Sequence, residues 1–236
     1  MKVIGLIGGL SWESSALYYQ ILNRAVRAQS GGLHSAECLL YSFDFAEIEA
    51  LQHADRWDEA TDRMISAAQR LERGGADFLV ICSNTMHRMA VDVSAAVRMP
   101  LLHIADPTAR AIRAAGYERV GLLGTRTTME ADFYVGRLKA AHGLTVCIPD
   151  QVGREAVHRI IYDELVRGVV REESRAAYQQ VIAGLAEQGA QCVILGCTEI
   201  TLLIKPEHSA LPVFDTTSLH AEAAVMLALS EEVAHA

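Results

Sequence analysis

The feature that most constrains this chain is an internal repeat. Gly75-Ala76-Asp77-Phe78-Leu79-Val80-Ile81-Cys82-Ser83-Asn84-Thr85 aligns without gaps on Gly189-Ala190-Gln191-Cys192-Val193-Ile194-Leu195-Gly196-Cys197-Thr198-Glu199, setting Ser83 opposite Cys197, 114 positions later. In each copy an apolar run of strand length breaks into a polar triplet and then a helical pattern. A buried parallel strand ending at its carboxyl edge reads this way, and open α/β sheets place their ligands at such edges. The repeat extends upstream: Val3-Ile4-Gly5-Leu6-Ile7-Gly8-Gly9 matches Arg119-Val120-Gly121-Leu122-Leu123-Gly124-Thr125, with Gly8 and Gly124 116 positions apart. Each half therefore carries two strand-to-helix switches at nearly equal separation.

Strand-like runs are expected at Lys2–Ile7, Ala36–Ser42, Phe78–Cys82, Leu101–His103, Arg119–Leu123, Thr145–Ile148, Cys192–Leu195 and Pro212–Phe214. Amphipathic stretches between them predict helices at Ser14–Gln29, Trp57–Arg73, Pro107–Ala115, Glu130–Ala141, Ala156–Val166 and Glu172–Glu187. Alternating β and α implies mostly parallel sheets covered by helices on both faces. Gly116, Gly143 and Gly189 stand where helices should stop. The fold class is α/β, with two pseudo-symmetric parallel-sheet halves, flavodoxin-like in their layers, and a site between them. The expected boundaries are 1–100 for the first half, completed by a C-terminal helix at 218–236, and 105–212 for the second.

Bulk properties exclude several function classes. A chain of 236 residues that is 51% hydrophobic and 21% charged can bury a real core. A formal net charge of −8 without a basic cluster argues against nucleic acid or an anionic membrane as partner. No apolar run approaches the roughly 18–20 residues of a membrane span. The opening MKVIGLIGGL runs into Trp12-Glu13 with no cleavage-like site and reads as a first strand, not a signal peptide. Five cysteines, an odd number without C-x-x-C spacing, fit reduced thiols in a cytoplasmic protein.

The chemistry-bearing positions lie at the strand ends. Gly5, Gly8 and Gly9 lack the spacing of a dinucleotide or P-loop fingerprint and read as a tight turn, with a backbone cradle for a carboxylate as the alternative. Cys197, before a helix, is expected to have its thiol pKa drawn down toward neutrality by unpaired backbone N–H groups. It would then serve as thiolate base or thiol acid. Ser83 can donate a proton but is a poor base without a partner. Cys82 is assigned to core packing, and Cys38, Cys147 and Cys192 to inert burial. His87 either tunes Ser83 or is satisfied by local backbone; His103 and Asp106 read as structural. Nine scattered histidines with no H-x-x-x-H pair disfavour a metal site, and Ser83 lacks the G-x-S-x-G elbow of a serine hydrolase.

Over essentially its whole length the sequence resembles the cofactor-independent aspartate/glutamate racemase family, which includes hydantoin racemases. The resemblance rests on Gly8-Gly9-Leu10-Ser11-Trp12-Glu13-Ser14, Ser83-Asn84-Thr85-Met86-His87, Gly124-Thr125 with Thr128-Met129-Glu130, and Gly196-Cys197-Thr198-Glu199. It implies two-base racemisation, one residue from each half flanking the α-carbon. Most of the family has cysteine at both places. Here the second is Cys197 and the first is Ser83, so the chain is most similar to the subgroup with a hydroxyl residue there. The resemblance also implies substrate contacts from Leu10, Gln52, Asn84, Thr85, Thr125, Thr128, Glu164, Thr198 and Glu199. No pyridoxal phosphate, metal or other cofactor is expected; the partners are a small amino-acid substrate and a second copy of the chain in a homodimer. Rival readings are a one-cysteine decarboxylase or isomerase of the same superfamily, and a non-catalytic binder.

Overall fold

The computed structural model describes residues 1–230. The described residues divide into two compact units, residues 1–103 with residues 220–230, and residues 104–219. The expected C-terminal helix at 218–236 is described only in part: α11 spans Thr216–Leu229, and positions 231–236 lie outside the described residues.

The first unit contains β1 (Ile4–Gly8), α1 (Trp12–Ser30), β2 (Cys38–Ser42), α2 (Phe45–His53), α3 (Trp57–Arg73), β3 (Phe78–Ile81), α4 (Ala90–Ala95) and β4 (Leu101–Leu102). Its sheet is wholly parallel in the order β2-β1-β3-β4. The second unit contains α5 (Ala105–Ala114), β5 (Arg119–Gly124), α6 (Arg126–Glu130), α7 (Asp132–His142), β6 (Thr145–Cys147), α8 (Gln151–Asp163), α9 (Glu172–Glu187), β7 (Cys192–Gly196), α10 (Ile200–Leu203) and β8 (Val213–Asp215). Its parallel sheet runs β6-β5-β7-β8, the same order. The registers agree as well. Ile4 pairs with Phe78 and Ile7 with Ile81 in one unit, Val120 with Cys192 and Leu123 with Leu195 in the other. These pairs correspond at the offsets read from the sequence, so the repeat extends to strand order and register.

The strands are nearly continuous apolar runs because both faces of each sheet are covered. Alternation divides β1 and β3 cleanly. Ile4, Leu6, Phe78, Val80 and Cys82 join Tyr18, Leu22 and Val26 of α1 and Ala221, Ala224 and Val225 of α11 in one cluster. Ile7, Leu79 and Ile81 join Ile48 of α2 and Ala60, Met64, Ala67 and Leu71 of α3 in another. The buried α3 positions recur at three- and four-residue steps, the stripe an amphipathic helix presents to a sheet. Helices α5, α7 and α9 end just before Gly116, Gly143 and Gly189, all at positive φ.

Candidate active site

In an open parallel sheet of this order the direction of strand addition reverses between β1 and β3, and again between β5 and β7. The carboxyl ends of these strand pairs are the switch points where α/β proteins bind ligands. Ser83 follows β3 and Cys197 follows β7, so each half offers one proton-carrying side chain at its own switch point.

Packing defines the second-unit site. A Cβ added at Gly196 would stand 2.7 Å from the Leu123 carbonyl oxygen, and one at Gly124 would stand 2.9 Å from the Gly196 carbonyl oxygen. The Thr128 methyl fills the space over both glycines. Thr125 caps α6, its hydroxyl accepting from the Thr128 N–H at 3.3 Å and lying 3.1 Å from the Thr128 hydroxyl. Both threonines are buried. Thr198 is held by Thr217, whose hydroxyl donates to the Thr198 hydroxyl at 3.3 Å, and by Thr201, whose hydroxyl donates to the Thr198 carbonyl at 2.7 Å.

The Cys197 thiol donates to Glu199 Oε2 at 2.9 Å. This corrects the sequence expectation of a lowered pKa. Burial, then the charge of the Glu199 carboxylate and its hydrogen bond, push the thiol well above its ordinary value; the backbone N–H groups of Glu199 and Ile200 pull the other way and lose. The helix expected to supply a strong dipole, α10, is a single turn of four residues, so little dipole opposes these effects. Cys197 rests as a thiol with a carboxylate acceptor in place.

Tyr178, on α9, is fully buried, its hydroxyl donating to the Val157 carbonyl at 3.3 Å. Burial first, and then the negative charge of Cys197 once it ionises and of the Glu164 and Glu199 carboxylates, raise its pKa and keep it protonated. Glu164, just past α8, accepts from the Ser174 hydroxyl at 2.6 Å. Glu164 and Glu199 thus both act electrostatically on this phenol. Tyr178, Ser174 and Thr217 were not anticipated, because they are ordinary helix residues that reach the site only through the fold.

The first unit holds its serine differently. Ser83 is partly buried; its hydroxyl accepts a long 3.4 Å bond from the Met86 N–H, while its carbonyl accepts from His87 Nδ1 at 2.7 Å. Thr85–Met89 form a 3-10 turn in place of the expected immediate α-helix, which resumes as α4. Asn84 just before that turn and Thr85 in it are buried, and Gln52 of α2 donates to the Met86 sulfur at 3.1 Å. Leu10 buries its side chain in the apolar cluster containing Ile48 and Met86. Cys82 is fully buried in the core on the other sheet face.

The glycine loop after β1 is a tight turn. Gly9 sits at φ +70°, and a Cβ there would lie 2.3 Å from the Phe43 backbone. Its N–H donates to Ser15 Oγ at 2.8 Å, while Ser11 caps α1 by accepting from the Ser14 N–H at 3.3 Å. The Ser11 and Ser14 of the motif are thereby engaged in a helix cap. Asp106 accepts a two-pronged bond from Arg137 and a third contact from His142, a structural hub. Among the described residues no group of three or more His, Cys, Asp or Glu is arranged to hold a metal ion, and no helix is long and apolar enough to cross a membrane.

Switch-point loops of this make, doubled in one chain, have known counterparts. The chain belongs to the Asp/Glu/hydantoin racemase family, whose profile matches residues 7–224. That makes it an isomerase-class enzyme. It is 53% identical to a Yersinia pestis protein assigned to the Asp/Glu racemases, covering 98% of this chain and all of that one, with a TM-score of 0.92. An aspartate racemase homologue from Pyrococcus horikoshii is 35% identical over 98% of this chain and all of its own, TM-score 0.84. The broad-specificity amino-acid racemase RacX of Bacillus subtilis is 25% identical over 184 residues, 73% of this chain and 75% of that protein.

Proposed function

We propose that the protein racemises aspartate or glutamate without a cofactor, with Cys197 and Ser83 as proton-transfer residues on opposite faces of the α-carbon. The observation that carries this reading is the Cys197–Glu199 couple at the β5/β7 switch point, with Ser83 at the equivalent switch point of the other half. The resting couple is thiol and carboxylate. Moving the thiol proton to Glu199 leaves a thiolate, which the N–H groups of Glu199 and Ile200 stabilise. The thiolate takes the α-proton of the L substrate and becomes a thiol again. The Ser83 hydroxyl then protonates the carbanion from the other side, and solvent returns the Glu199 proton to the serine oxygen. Protons balance over the cycle. Asn84, Thr85, Thr125, Thr128, Thr198 and Glu164, together with Gln52 and the Leu10 backbone, complete the proposed substrate contacts, and the working unit is a homodimer by family resemblance.

Two enantiomers have equal free energy in water, so kcat/KM is the same from either side. The pair of unequal groups shows instead in isotope exchange. In D₂O the L substrate should gain deuterium with retention faster than it inverts, followed by ¹H NMR and chiral chromatography. Equal exchange and inversion rates for both enantiomers refute the unequal pair. A second reading is favoured by the raised thiol pKa: a resting acid suits a one-cysteine decarboxylase that protonates a carbanion. Carbon dioxide release from malonate-type acids, without α-exchange of amino acids, selects it.

A further inference from the structure

A cluster of imidazoles in the first unit is not accounted for by the proton-transfer pair itself. His87, His103 and His220 are at most 6% exposed, and the rings of His103 and His220 lie 4.5 and 5.7 Å from that of His87. Three polar rings inside an apolar core are costly unless their nitrogens are bonded, and the bonds formed here have consistent directions. His220 Nε2 lies 2.8 Å from the Leu102 carbonyl at the end of β4; a carbonyl only accepts, so that nitrogen carries the hydrogen. In the neutral ring Nδ1 then accepts from the Tyr18 hydroxyl, also at 2.8 Å. The same logic at His87 puts a hydrogen on Nδ1, donated to the Ser83 carbonyl at 2.7 Å. The His87 backbone N–H donates to the Asn84 carbonyl at 3.1 Å, so this residue grips two successive peptides of the loop.

The consequence concerns which parts of Ser83 are held. Its carbonyl is clamped by a short bond, whereas among the described residues its hydroxyl makes only the 3.4 Å contact to Met86. The backbone, and with it the Cα–Cβ direction, is fixed while the hydroxyl can turn. A proton donor needs that combination. Resting on the racemase reading, we propose that His87 is a positioning residue for Ser83, its Nδ1–H holding the Ser83 carbonyl and its ring buttressed by His103 and by the His220–Tyr18 pair.

The test uses the full-length protein and the ratio of inversion to α-exchange for L-aspartate and L-glutamate in D₂O. Exchange on the Cys197 face does not need Ser83, so a lost clamp lowers inversion more than exchange. His87→Leu keeps bulk and loses the donor. His87→Asn places an N–H near the position of Nδ1, and His87→Gln places it further out. The ratio should fall by about tenfold to a hundredfold in His87→Leu and His87→Gln, because small misplacements of a reacting group cost that much, and recover in His87→Asn. The His87 ring should also give the ¹⁵N signature of the Nδ1–H tautomer in the parent protein. If His87→Leu does not fold, the Asn and Gln variants decide the matter by the same ratio. A parent protein that inverts, with variants that keep its ratio, overturns the role of His87 alone, as does an Nε2–H tautomer. A parent that neither exchanges nor inverts overturns the racemase reading and this role with it.

Discussion

The loops after β3 and β7 share topology and register yet hold their key residues in opposite ways. At Cys197 the side chain is engaged: the thiol donates to Glu199, two positions on. At Ser83 the backbone is engaged: the carbonyl is clamped by His87, and the position matching Glu199 is Thr85. A carboxylate beside a thiol makes a donor–acceptor couple in which the thiol holds the proton at rest. A threonine beside a serine makes none. Duplication thus supplied two equivalent places, and side-chain divergence left a thiol–carboxylate couple at one and a serine held by its backbone at the other. The packing diverged too: Cys82 fills the core just before Ser83, whereas the matching Gly196 leaves its space to the Thr128 methyl.

The sharpest way to break this comparison is to delete each proton carrier. We predict that Cys197→Ala abolishes both exchange and inversion, a loss of about 10²–10⁴-fold, the usual worth of a general acid/base. Ser83→Ala should depress inversion by a similar factor yet leave α-exchange of the L enantiomer within a few fold. Ser83→Cys should raise inversion if the larger sulfur fits. Exchange lost equally in Cys197→Ala and Ser83→Ala would show that the two loops do not divide the labour.

Glu199→Gln tests the couple itself. The carboxylate raises the thiol pKa by its charge and by its hydrogen bond, so removing the charge lowers that pKa, although burial keeps part of the elevation. The pH profile of Cys197 alkylation by iodoacetamide should therefore move to lower pH. Racemisation should nevertheless fall, by about 10²-fold, because the proton acceptor is gone. A more ionised thiol in a slower enzyme is the expected pairing. An alkylation profile that stays put, or moves upward, would mean that Glu199 does not govern the thiol.

The architecture was legible in the sequence to a large degree, for a physical reason. Strands buried on both faces must be apolar throughout, and long helices must repeat their buried positions, so α3 and α9 begin and end where the pattern does. Helix α2 was not foreseen, because it buries only Ile48 and leaves no period to read. The strand ends were legible as places, and the repeat marked Ser83 and Cys197 as counterparts. Their electrostatics were not. Whether Glu199 folds back onto Cys197 depends on a rotamer, and the length of α10 decides how much dipole opposes it. Tyr178, Thr217 and His220 escaped notice because their partners lie far off in sequence; His220 bonds a carbonyl 118 residues away.

The smallest expected effect concerns the positions just before the two key residues, and it is one of stability. At Gly196 an added methyl meets the Leu123 carbonyl oxygen at 2.7 Å, and backbone within a parallel sheet cannot swing aside. Strands β5 and β7 must part locally, so Gly196→Ala should cost about 1–3 kcal/mol, the range for overpacking. At Cys82 the matching change removes one sulfur from a fully buried core position, and Cys82→Ala should cost about 1 kcal/mol, near the value for a buried methyl-sized group. Urea denaturation at unchanged m-value gives both numbers. Cys82→Ala serves a second purpose, since its burial drives its thiol pKa far upward and leaves it inert. It should keep parental racemisation while Cys197→Ala loses it. A Cys82→Ala protein as stable as its parent but catalytically dead would move the reactive thiol to the wrong side of the sheet and undo the equivalence of the two loops.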